Sequence, residues 1–182
     1  MSYCKIAPGH PLHGPYHDQE YGLPVSDEST LFERLVLEIN QAGLSWTTIL
    51  AKRQNFRAAY DNFVVDRVAH YGVPERTRLL NDVGIVRNRL KVDAAIENAR
   101  RIRELRTTHG SFAAWLAGYH PLSKPDWVKL FKKTFAFTGG EITGEFLLSI
   151  GYLPGAHEKT CPVYAKISRR KPPWMTQSAR TL

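Results

Sequence analysis

The segment NRLKVDAAIENARRIRELRTTHG, residues 88–110, sets Val92, Ala95, Ile96, Ala99, Ile102 and Leu105 on one helical face. A helix this long with a single apolar stripe has to be covered by other helices or by a sheet. Period-two alternation is nowhere sustained along the chain, whereas helical spacing recurs. In SDESTLFERLVLEINQAG the apolar positions are 31, 32, 35, 36 and 39, with Ser and Asp as caps and Gly43 as the stop. SWTTILAKRQNFRAAYDNF starts at a second capping residue, Ser45, and VDRVAHYG and VPERTRLLNDVG each end at a glycine. SFAAWLAGY, PDWVKLFKKTF and GEITGEFLLSIGYLPG complete the pattern. The expected fold is all-α, a bundle of about eight helices within a single domain over 1–167. Residues 1–25, rich in Pro, Gly, His and Tyr, read as an irregular arm. Residues 168–182 read as a basic, disordered tail.

Lys and Arg number 25 against 17 Asp and Glu, a net charge of +8. That excess favours a polyanion, nucleic acid first and an anionic membrane surface second, although a soluble protein can also simply be basic. No window approaches the ~18 consecutive apolar residues of a membrane span. The N-terminus has no apolar signal segment, so the cytoplasm is the expected compartment.

Glu38 is the misfit of the first long helix. At 100° per residue from Leu31, Leu35 lies near 40°, Ala42 near 20° and Glu38 near −20°, while Glu33 and Asn40 fall near 200° and 180°. Glu38 therefore sits at the margin of the apolar stripe. A buried carboxylate without partners costs several kcal/mol, so it must be paired, protonated or facing a cavity, unless it bends out to water or caps the Gly43–Ser45 turn.

Only two cysteines occur, Cys4 and Cys161. A disulfide is disfavoured in a cytosolic chain, which leaves free thiols or metal ligands. Cys161 follows His157 in GAHEKTC, and His17 lies in PYHDQEYG. Two thiolates and two imidazoles make a closed structural zinc set; the same residues can also be buried free cysteines and ordinary histidines. LLNDVGIVRNRLKV, residues 79–92, pairs a turn at Gly84 with Arg87, Arg89 and Lys91. It reads either as a helix-hairpin-helix whose backbone N–H groups hold a phosphate or as a plain helical corner with a solvated basic face. Tyr16, Tyr21 and Trp46, with His10 and His13 nearby, either stack on a base or pack the arm onto the domain.

PYHDQEYGLP, LFERLVLEINQAGLSWTTIL, KRQNFRAAYDNFVVDRVA, DVGIVRNRLKVDAAIENAR and the terminal His-x₃-Cys together resemble the bacterial DNA-3-methyladenine glycosylases of type I. These enzymes belong to the helix-hairpin-helix glycosylase superfamily, and the likeness covers roughly residues 1–165. It implies monofunctional base-excision repair, in which a cationic alkylated adenine is flipped out of double-stranded DNA and released by hydrolysis of its N-glycosidic bond. It further implies structural Zn²⁺ held by Cys4, His17, His157 and Cys161, which ties the arm to the C-terminal region. Glu38 and Tyr16 match catalytic residues of the pocket, and Trp46, Tyr21 and His13 match base-contacting positions. Gly84, Arg87, Arg89 and Lys91 match the DNA-backbone contacts. A monomer with no membrane association is expected.

Several positions depart from the family pattern. Tyr21 replaces a tryptophan, and Ile6 and His13 stand where Trp and Tyr are usual. Glu141 and Glu145 stand where neutral residues are expected. The alternative these departures raise is a lesion-binding protein, or a glycosylase of altered base specificity.

Overall fold

The computed structural model describes residues 2–176, and every regular element among them is helical. The helices are α1 (Tyr3–Ile6), α2 (His13–Gln19), α3 (Glu28–Gln41), α4 (Trp46–Ala59), α5 (Val65–Ala69), α6 (Val73–Asn81), α7 (Arg89–His109), α8 (Phe112–Tyr119), α9 (Lys124–Thr134), α10 (Gly140–Ser149) and α11 (Pro162–Arg169). Two 3-10 turns, Asp61–Phe63 and Pro173–Met175, complete the set.

The eight expected helices are α3 to α10, and their ends follow the expected chemistry. Asp27 accepts from the Thr30 N–H at 2.8 Å, and Ser45 from the Thr48 N–H at 3.1 Å. The turn after α3 passes through Gly43 at φ +80°, a backbone conformation that L side chains rarely adopt. Two boundaries are corrected: α5 stops at Ala69 and α6 at Asn81, each before its glycine, and the Asp82 carboxylate accepts the Gly84 N–H at 2.7 Å.

Two further corrections concern the termini. The arm is not irregular throughout, because α1 and α2 form within it. Ser2 caps α1, and Pro15 lies in the first turn of α2, where a missing N–H breaks no helical bond. The tail is ordered over 168–176: α11 runs to Arg169, Pro172 is buried, and the Trp174 N–H donates to the Gly151 carbonyl at 3.2 Å. Trp174 also packs on Tyr164, so an aromatic anchor offsets the basic composition. The rest of the expected tail, 177–182, lies outside the described residues.

The main core is one continuous cluster in two parts. Phe112, Trp115, Trp127, Phe131 and Phe146 form an aromatic cluster across α8, α9 and α10. The other part surrounds α3, in which every residue from Leu31 to Asn40 is buried. The one-sided stripe is therefore corrected, because Glu33 and Asn40 lie inside as well.

An ionic network makes that burial tolerable. Arg53 reaches Glu33 at 2.7 Å and grips both oxygens of Glu20 at 2.7 Å each. Arg57 closes on Glu33, and Arg34 donates to Glu20 and to the Ser149 carbonyl. Burial works against the charge on Glu20, yet the arginines, Arg53 first, hold its carboxyl below the usual range. Arg34 and Arg53 also lie 5.6 and 5.9 Å from the Tyr16 ring centroid. Breaking a buried pair from one side strands a charge. Arg53→Met is thus expected to cost about 3–5 kcal/mol in urea unfolding. Arg101→Met, which removes an exposed i, i+4 pair with Glu97, is expected to cost less than ~0.5 kcal/mol.

Candidate active site

The arginine network fixes Tyr16 from behind, and the front of its ring faces a cavity of about 610 Å³. Trp46, the first residue of α4, meets Tyr16 at 5.2 Å between ring centroids with planes tilted by 60°. Tyr21 packs 5.7 Å from Tyr16, and Tyr3 sits edge-on to Tyr21 at 5.4 Å. These four aromatic side chains form the walls.

Glu38 projects from α3 into the same cavity and is only 4% exposed. Its side chain accepts no hydrogen bond from any described residue, and among the described residues no Lys or Arg lines the cavity. Burial, then the charge of Glu145, pushes its carboxyl up to about 8, against the pull of Arg34. Of the readings open in the sequence, two hold together: the carboxyl faces a cavity, and its burial favours the protonated form.

His13 is buried. Its Nε2 lies 2.8 Å from Thr47 Oγ1 and its Nδ1 lies 3.1 Å from the Tyr3 hydroxyl. Ile6 borders the cavity half-exposed. Tyr3 is the residue that sequence reasoning missed. Its neighbour Cys4 was the available signal, because whatever holds Cys4 beside His157 carries Tyr3 to the wall.

Cys4, His17, His157 and Cys161 each offer one ligand atom, all within 4.8 Å of one another. Cys4 and Cys161 Sγ both lie 3.6 Å from His157 Nδ1, and Cys161 Sγ lies 3.8 Å from His17 Nε2. Tetrahedral bonds of about 2.3 Å to sulfur and about 2.0–2.1 Å to nitrogen imply S···N edges of roughly 3.6 Å. The remaining ring nitrogens are held as well, His17 Nδ1 by Asp18 at 2.6 Å and His157 Nε2 by the Tyr21 carbonyl at 2.9 Å. The quartet could hold a metal ion.

The corner between α6 and α7 exposes Arg87 and Arg89. A Cβ on Gly84 would fall 2.9 Å from Asp82 Oδ1 and 3.2 Å from Asn55, so a side chain there would push on the Asp82 carboxylate and on Asn55. Lys52 donates to the Val83 and Gly84 carbonyls at 3.1 and 3.2 Å. Lys91 corrects an expectation, because it is no surface contact for DNA. Its ammonium is buried and donates to the Asn40 and Ala42 carbonyls at 2.8 and 2.6 Å, satisfying the open end of α3. It thereby fastens the start of α7 to the turn between Glu38 and Trp46.

The family model for methyladenine glycosylase matches residues 6–126. DNA-3-methyladenine glycosylase 1 of Escherichia coli K12 is 45% identical over 100 residues, 55% of this chain and 54% of that protein. That alignment spans about half the length of the relative. DNA-3-methyladenine glycosylase of Haemophilus influenzae is 30% identical over 166 residues, 81% of this chain and 89% of that protein. Among solved structures, a variant of 3-methyladenine DNA glycosylase I in complex with 3-methyladenine superposes with a TM-score of 0.82 at 28% identity, over 90% of this chain and 97% of that one.

Burial of Glu38 has a thermodynamic consequence whose sign is fixed. Its carboxyl moves from 4.5 to about 8 on folding, so the folded protein keeps a proton that the unfolded chain loses in that interval. Stability from this group is complete below pH 4.5 and is lost as pH rises towards 8. Glu38→Gln cannot ionise. It is expected to match wild type near pH 4 and to exceed it by about 3–5 kcal/mol near pH 9 in urea unfolding.

Proposed function

This chain belongs to the methyladenine glycosylase family, and from there we propose that it acts in base-excision repair by hydrolysing the N-glycosidic bond of 3-methyladenine in alkylated DNA. The observation that carries the reading is Glu38, an acid without a cation partner inside an aromatic cavity. A 3-alkylated adenine still joined to deoxyribose is positively charged, and so supplies the missing partner.

The chemistry asks little of the protein. A cationic base is already a good leaving group; water adds to the sugar, the base departs neutral, and one proton is set free. What the protein must supply is extrusion of the nucleotide, which costs a few kcal/mol, and selection of the lesion. Trp46 and Tyr16 offer π faces that favour a cation over neutral adenine by about 0.5–2 kcal/mol. Glu38 accepts hydrogen bonds from the base and complements its charge. Tyr21 and His13 shape the remaining wall, His13 by holding Tyr3 and Thr47 in place. The lesion-binding alternative raised by Ile6 and His13 is not favoured, because Tyr3, Tyr16, Tyr21 and Trp46 keep the cavity aromatic.

The partner is double-stranded DNA, engaged in the cytoplasm by a monomer. Gly84, Arg87 and Arg89 form the helix-hairpin-helix corner that meets the phosphate backbone. Lys91 supports that corner from beneath and contacts no phosphate. Among the described residues no lysine lines the cavity, which supports a monofunctional hydrolase with no Schiff-base step. No helix among the described residues is long and apolar enough to cross a membrane. Cys4, His17, His157 and Cys161 hold structural Zn²⁺, which would join the arm to the segment before α11 and so keep Tyr3 in the wall.

Base release from methylated genomic DNA, identified by chromatography, tests the reading. Wild type is expected to release 3-methyladenine, and Glu38→Ala to lose at least ~100-fold in rate; an unchanged rate refutes the role of Glu38. Elemental analysis of protein purified without chelators is expected to give about one zinc per chain, and less than ~0.2 removes the metal.

A further inference from the structure

Two carboxylates enter the base cavity. α10 turns Glu141, Glu145 and Leu148, spaced by four and three residues, towards one side. Glu141 is exposed and borders only the smaller adjoining space, where water screens it. Glu145 is half-buried and lines both spaces together with Glu38. The Tyr21 hydroxyl donates to Glu145 Oε2 at 3.2 Å. Burial, and next the Glu145 charge itself, pushes the Tyr21 phenol far above its ordinary range, so it keeps its proton and remains a donor. Tyr21 and Glu145 are two of the departures from the family pattern, and they meet each other. A tryptophan at 21 has no hydroxyl to offer.

We propose that Glu145, aimed by Tyr21, is a second base-recognition carboxylate whose negative charge helps Glu38 keep a proton in the free protein, the proton passing to solvent when a cationic base enters. The proposal rests on the glycosylase reading above and adds to it a specificity residue and a proton count.

The physical argument is that the charge on one carboxylate makes ionising a buried neighbour in the same cavity costly. The groups facing Glu38 leave little else to compensate it. Arg34 shares α3, but its terminal nitrogens serve Glu20 and Ser149. Tyr3 from α1, His13 and Tyr16 from α2, and Tyr21 from the following turn are uncharged, since burial favours neutral phenols and lowers the affinity of His13 for a proton. Glu158, the one other charged residue among the described lining residues, is also an acid. Proton exchange conserves charge: the base brings one positive charge in, and one proton leaves. The exocyclic amino group of a 3-alkylated adenine has two N–H donors, one for each carboxylate.

Calorimetric titration of the full chain with 3,9-dimethyladeninium, a fixed cation, at pH 7 in two buffers of different ionisation heat reads affinity and proton release together. Wild type is expected to release close to one proton per base bound. Glu145→Gln is expected to bind about tenfold more weakly and to release less than ~half as many protons. Tyr21→Phe, which keeps the ring, is expected to fall between the two. Glu104→Gln, an exposed site on α7, is expected to match wild type. Wild-type affinity and proton count in both Glu145→Gln and Tyr21→Phe overturn the proposal, even where wild type releases 3-methyladenine from DNA. Wild type that releases no 3-methyladenine from methylated DNA overturns the glycosylase reading instead.

Discussion

The arginine–carboxylate network around α3 is the constraint on which the rest depends. Glu20, Glu33, Arg34, Arg53 and Arg57 pair with one another at distances of 2.7–3.3 Å, which lets a helix carrying several charges be buried on every side. Its second effect concerns the acid it leaves out. Arg34 lies one turn before Glu38, yet its terminal nitrogens are committed to Glu20 and the Ser149 carbonyl. Glu38 is therefore buried without a hydrogen-bonded cation. Tyr16 sits between the two regions, with arginines behind its ring and the cavity in front.

Two further ties complete the pocket from a distance. The Cys4, His17, His157 and Cys161 quartet joins residues more than 140 positions apart and brings the arm to the wall. Lys91 joins α7 to the end of α3, so the exposed Arg87 and Arg89 are held beside the turn that separates Glu38 from Trp46. The cavity acid and the cations of the corner thus share one link.

Helices α3 to α10 are legible in the sequence because their apolar residues recur at helical spacing and capping side chains or glycines mark most of their ends. α1, α2 and α11 are not, since four to eight residues carry little periodicity and their order depends on the quartet and on Trp174. Glu38 stands out as a misfit from angles alone. Glu33 does not, because its burial follows from Arg53 and Arg57 on the next helix, a pairing that periodicity within α3 cannot reveal. Lys91 reads as one more exposed cation of a basic corner, and only the carbonyls at the end of α3 show why it is inside. Tyr3 and the Tyr21–Glu145 contact are tertiary in the same sense.

The account turns on whether Glu38 is held as an uncompensated acid. Carbon-13 NMR of the Glu38 carboxyl, followed through a pH titration of the full chain, measures this directly. The structure calls for a midpoint near 8. A midpoint near the ordinary 4.5 would mean that water or a cation already compensates the carboxylate, and that the cavity is not built around a missing positive charge.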